Sequence, residues 1–139
     1  MDSLVLRSVN SDATLTFTGC TGDHYEARVD AGDHGARRFV ETPPFWDNQG
    51  PARLFRDAAR HWKGWKGSKS WESSKGELRL ELTMDRLGHV LVDVQVGTDF
   101  FGDSDYGGPD PWRIITQITL EAGQLKTVAR QMKSWFARV

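Results

Sequence analysis

Cysteine is almost absent: Cys20 is the only one in 139 residues. An internal disulfide is therefore excluded, and so is a thiolate metal cluster, which needs several sulfurs. A reducing cytoplasm is the easier home for such a chain. Long apolar runs are missing too, and none approaches the ~20 residues that span a bilayer. The opening Met-Asp-Ser-Leu-Val-Leu-Arg lacks the basic region and apolar stretch of a secretory leader. Charge of one sign is not in excess. The net charge is −1, which supplies no overall drive toward nucleic acid or an anionic membrane. The motifs of several chemistries are also lacking. There is no Gly-x-Ser-x-Gly nucleophile turn. Gly107-Gly108 is followed by Pro109 rather than by the Lys-Ser and helix of a phosphate loop. Cys20, set between Thr18-Gly19 and Thr21-Gly22, reads as a small buried thiol rather than a nucleophile. The expectation is a protein that is not an enzyme, holds no cofactor and no metal, and has no membrane partner.

What is present reads as one α+β domain over residues 1–139. Hydrophobic content of 38% and charged content of 27% suit a globular chain. The first third carries short strand patterns: 4–9, 14–18, 25–29 and 38–41. The stretch 31–35 between the last two has loop chemistry, and Pro43-Pro44 closes the series. A helix is expected over 51–64, with Gly50 as N-cap and Pro51 in its first position. Leu54, Phe55, Ala58, Trp62 and Trp65 would share its apolar face, while Arg53, Arg56, Arg60 and Lys63 form a second stripe. Three strands follow. Leu78, Leu80, Leu82 and Met84 alternate with Arg79, Glu81, Thr83 and Asp85. After a hairpin turn at Gly88, Val90, Val92, Val94 and Val96 alternate with polar residues. Ile114, Ile118 and Leu120 mark the third strand. A last helix starts near Ala122 with Leu125, Val128, Ala129, Met132, Trp135 and Phe136 on its apolar stripe. The fold class expected is a mainly antiparallel sheet with two amphipathic helices packed on one face.

Each local constellation has a competing structural reading. Asp23-His24 and Asp33-His34 could ligate a divalent metal if their loops met, but neither has a metal-site spacing, and turn-forming Asp beside an exposed His accounts for them. Asp103-Ser-Asp105-Tyr-Gly107 lacks the further acidic ligands of a calcium loop. Lysines interleaved with Trp62, Trp65 and Trp71 resemble a single-strand stacking path, and residues 53–75 hold seven Lys or Arg against two acids. Core-facing Trp spacing argues against nucleic acid there. The strongest site candidate is the segment between the second and third strands. Asp99, Asp103, Asp105 and Asp110 carry charge without any cation, and Phe100, Phe101, Tyr106 and Trp112 are interspersed. Aromatic anchors among like charges suit a basic protein surface.

Trp65-x-Gly-x-Lys-x-Trp71, Gly76-Glu77-Leu78, Gly88-His89-Val90 and Gly123-Gln124-Leu125, in this order, resemble a small bacterial family of unknown function. That family is similar to immunity proteins of polymorphic and contact-dependent toxin systems. The resemblance covers roughly residues 45–136. It implies a cytoplasmic bacterial protein that works by binding, with a toxin domain as partner, and it supplies no catalytic residue. A small-ligand receptor or enzyme with a pocket between the sheet and the Trp-rich helix is the other expectation.

Overall fold

Two apolar alternations separated by a short polar turn make a hairpin, and this chain does so repeatedly. The computed structural model describes residues 3–19, 23–41, 50–98 and 112–137. Strands β1 (Ser3–Arg7), β2 (Thr14–Thr18), β3 (His24–Ala31) and β4 (His34–Glu41) form one antiparallel sheet in sequence order. Helix α1 (Ala52–Arg60) follows. Strands β5 (Lys69–Glu72), β6 (Leu78–Met84), β7 (His89–Gly97) and β8 (Arg113–Glu121) then form a second antiparallel sheet, again in sequence order. A 3-10 turn, Ala122–Gln124, leads into α2 (Leu125–Phe136). The antiparallel α+β class is as expected, but the strands divide into two sheets of four rather than one.

Period-2 patterning sets the inner faces. Leu78, Leu80 and Leu82 are buried opposite Val96, Val94 and Val92, and Val92 and Val90 face Ile118 and Leu120 on β8. In the first sheet Leu15, Phe17, Tyr25, Ala27 and Val29 point inward. These residues and the apolar stripes of both helices belong to one continuous core. The sheets meet along one edge, where the Val9 N–H donates to the Thr119 carbonyl at 2.9 Å and the Thr119 N–H to Ser8 Oγ at 3.0 Å. A second junction is polar and buried. Glu77 is 2% exposed. Its carboxylate accepts from Ser73 Oγ at 2.8 Å and from the backbone N–H of Glu41, at the end of β4, at 3.2 Å. A buried carboxylate is tolerated when its lone pairs are taken up this way, and here it ties the two sheets together.

The helices run side by side and antiparallel. Lys126, at the start of α2, lies over Trp62, just beyond the end of α1. Gly50, just before α1, lies so close to the Phe136 ring, at the end of α2, that an added Cβ would meet it at 2.6 Å. With φ of +54°, Gly50 occupies a backbone region that costs other residues energy. It is not the N-cap: that position falls to Pro51, with φ of −77° and no side-chain capping bond.

Three further expectations are corrected. Helix α1 stops at Arg60, not 64, so Trp62 and Trp65 do not extend its apolar face. Trp62 is exposed, whereas Trp65 packs against the core from the following turn. The core-facing spacing expected of Trp62, Trp65 and Trp71 does not hold as one face: the end of the Lys-Trp run contributes the edge strand β5, with Trp71 paired to Leu80. The loop at 31–35 contracts to a two-residue turn, because Ala31 already pairs with His34. The Gly88 turn is as expected. Its φ is +81°, and Asp85 Oδ1 accepts from the N–H groups of Leu87 and His89 at 2.8 and 2.9 Å. Those backbone bonds, the His89 one foremost, hold the Asp85 carboxyl below its ordinary range.

Candidate functional site

The expected site residues Asp99, Phe100, Phe101, Asp103, Asp105, Tyr106 and Asp110 lie outside the described residues. The stem from which that segment leaves is well defined. The β7–β8 ladder runs to the pair Gly97 and Arg113. Beyond it the Thr98 N–H donates to the Trp112 carbonyl at 3.0 Å, and the Trp112 N–H to Thr98 Oγ1 at 3.1 Å. Arg113 locks this end from the side, donating to Gln95 Oε1 and to the carbonyls of Gly76 and Thr98, each at 3.3 Å. The Trp112 carbonyl and the Arg113 backbone crowd the position a Cβ on Gly97 would take, so only glycine allows the two strands to close here. A segment with four Asp residues thus starts and ends at one clamped point. Trp112 itself is 38% exposed beside it.

The second candidate region is the Lys-Trp run. Asp57 on α1 accepts from Lys69 Nζ on β5 at 2.7 Å, and Lys69 also lies 5.4 Å from the centre of the Trp65 ring. The hydrogen bond from Lys69 holds the Asp57 carboxyl below its ordinary value of 3.8, with the nearby charges of Lys69, His61 and Arg60 adding to the effect against the cost of burial. A depressed carboxylate pKa favours the folded state above its unfolded value, and that contribution is lost as pH falls through the folded value. Asp57→Asn is therefore expected to lower stability at neutral pH by an amount that starts to shrink near about pH 4, the ordinary carboxylate range, and vanishes only below the depressed folded value. Equal destabilisation of the variant at pH 3 and pH 7 in urea titrations would contradict this. Between α1 and β5 an open groove of about 330 Å³ is lined by Arg53, Leu54, Asp57, Lys69, Ser70 and Trp71. A larger open groove of about 450 Å³ separates β1 from α2.

The two Asp-His pairs are not brought together. His24 and His34 stand at opposite ends of the β3–β4 ladder. His24 bonds its own neighbour Asp23 at 2.7 Å, and its ring meets Phe39 edge-on. Among the described residues no group of three or more His, Cys, Asp or Glu is placed to hold a metal ion. Cys20 lies outside the described residues, as do Asp103 to Gly107 of the expected calcium-like stretch.

Sequence reasoning missed the Ser73–Glu77 junction. No local signal marks it: Glu77 shares the parity of Arg79 and Glu81 on the polar side of the alternation, so period-2 patterning places it outward, whereas it is buried. The other quoted motifs also prove architectural. The Gly88 carbonyl accepts from the Ala122 N–H at 2.9 Å, and Gln124 closes a capping box by accepting from the Glu121 N–H at 2.7 Å.

No curated protein and no solved structure matches this chain. A family pattern does match, over residues 6–139, and so takes in the first sheet as well as the region that carries the quoted motifs. The chain belongs to the Family of unknown function (DUF6228).

Proposed function

We propose that this protein is a non-catalytic binding protein that neutralises a cognate bacterial toxin domain by direct contact in the cytoplasm. The observation that carries this reading is the clamped stem of Thr98, Trp112 and Arg113. It fixes the start and end of a segment with four Asp residues and the aromatics Phe100, Phe101 and Tyr106. A clustered negative charge speeds encounter with a basic surface, and aromatic side chains then supply contact area. The toxin as the partner class rests on the resemblance alone: the glycine and tryptophan motifs resemble a family of unknown function that is similar to immunity proteins. No helix among the described residues is long and apolar enough to cross a membrane, which is compatible with this reading.

The test first looks beside this gene for a secreted protein with a variable C-terminal domain, and then follows association with that domain in real time; absence of binding to it would overturn the reading. Changing Asp99, Asp103, Asp105 and Asp110 together to Asn is expected to slow association at least tenfold at low salt and to flatten its salt dependence. Tyr106→Ala is expected to act mainly on dissociation. Unchanged affinity after removal of residues 100–110 would overturn the reading. The groove between α1 and β5 favours a second reading, a small-ligand receptor. A metabolite retained through purification and lost on Lys69→Ala would support that reading instead.

A further inference from the structure

The toxin reading uses the acidic segment and leaves the opposite charge unexplained. Residues 52–66 and 122–137, which hold both helices, carry eight Lys or Arg and one acid in a chain whose net charge is −1. The rest of the chain is therefore strongly acidic in sum. The single acid, Asp57, is already bonded to Lys69. Because the helices lie antiparallel and side by side, their solvent faces form one layer. Arg53 and Arg56 fall toward the Arg130 and Lys133 end, and Arg60 and Lys63 toward Lys126. Arg56, Arg60, Lys63, Lys126, Arg130 and Lys133 are all exposed, and among the described residues none forms an ion pair. Arg28, Lys69, Lys75 and Arg79, by contrast, each have a carboxylate partner.

At the centre of one end stands Trp62, 40% exposed, with Lys63 Nζ at 5.7 Å and Lys126 Nζ at 5.6 Å from its ring centre. Two cations lie near one indole, and among the described residues neither pairs with a carboxylate, so both are available to an incoming anionic group. The layer measures about 18 Å along α2 and about 20 Å across two helix diameters, which is a substantial share of the ~800 Å² one partner gives to a standard protein interface.

We propose that the joint solvent face of α1 and α2 is a second docking surface, and that its occupant is an acidic protein surface. Lys and Arg meet carboxylates there, and Trp62 is the aromatic anchor at its edge. This goes beyond the toxin reading and stands or falls separately from it.

The test uses the full chain, with a 20-residue Glu-rich peptide and a 20-nucleotide oligothymidylate as probes, at low salt where screening is weak. The peptide is expected to bind more tightly than the oligonucleotide. Arg56→Glu, Lys126→Glu and Arg130→Glu combined should weaken peptide binding at least tenfold. The same reversal at Arg7, Arg37 and Arg86, which changes net charge equally, should weaken it less than twofold. The variant with Asp99, Asp103, Asp105 and Asp110 changed to Asn should bind the peptide at least as well as the wild type, which separates this result from failure of the toxin reading. Near-UV circular dichroism checks that each variant is folded, and the single change Trp62→Ala replaces the triple variant if the latter is not. Tighter binding of the oligonucleotide, equal losses from both triple reversals, or no binding of the peptide would each overturn the proposal.

Discussion

Replacing Phe17 by Ala is expected to destabilise the protein by about 3–5 kcal/mol, at the upper end for a single core truncation. Phe17 is fully buried on β2, and its ring meets three others. The centroid distances are 5.8 Å to Tyr25 on β3, 5.9 Å to Trp135 and 5.4 Å to Phe136, the last edge-on. Trp135 and Phe136 also pack edge-on against each other and against Tyr25. Removing the first ring leaves a cavity bordered by aromatic groups held from both a sheet and a helix, so neither side can collapse freely into it. The loss combines transfer energy, the cavity and the edge-to-face contacts. Equilibrium unfolding in guanidinium, followed by tryptophan fluorescence, measures it. A loss under 1 kcal/mol would mean that α2 does not cover the first sheet as described.

Leu80→Ala in the second sheet is expected to cost about 2–5 kcal/mol, whereas Asp93→Ala should stay within about 0.5 kcal/mol, as surface substitutions usually do. Leu80 is fully buried opposite Val94, and the adjacent pair Glu81 and Asp93 faces outward. Asp93 accepts one exposed hydrogen bond from Gln117. A strand shifted by one residue exchanges these roles completely. Denaturant series on the two variants therefore test the register directly, and comparable losses would show that it is reversed.

Those strands were the easiest part to read from sequence. Leu78 to Met84 and Val90 to Val96 alternate strictly around a glycine turn, and one buried face is enough to set their direction. Leu125 to Phe136 were equally plain, because a three-and-four spacing carries its own period. Trp62, Trp65 and Trp71 were not. Their spacing fits a helix, but Gly64 and Gly67 break the backbone first, and Trp71 is then placed by pairing with Leu80, a contact that local spacing does not carry. The division into two sheets was also out of reach, since alternation does not say that β4 and β5 fail to pair, nor that Val9 meets Thr119 and Glu41 meets Glu77 to join the sheets. At the candidate site, the acidic segment was visible as composition, while its stem was not. The Thr98–Trp112 bonds join residues fourteen positions apart.

The packing of Trp135 and Phe136 on Phe17 and Tyr25 has a consequence for how the chain is made. During synthesis the first sheet emerges early, with Leu15, Phe17, Tyr25 and Val29 turned toward a helix that does not yet exist. It must wait for the chain from Glu41 to Phe136, about ninety-five further residues, before that face is covered. Contacts of such sequence separation slow folding, and an open apolar sheet face in a nascent chain invites misassembly. A ribosome-bound intermediate of this protein should therefore bind chaperones until α2 has left the exit tunnel, and should release them abruptly afterwards.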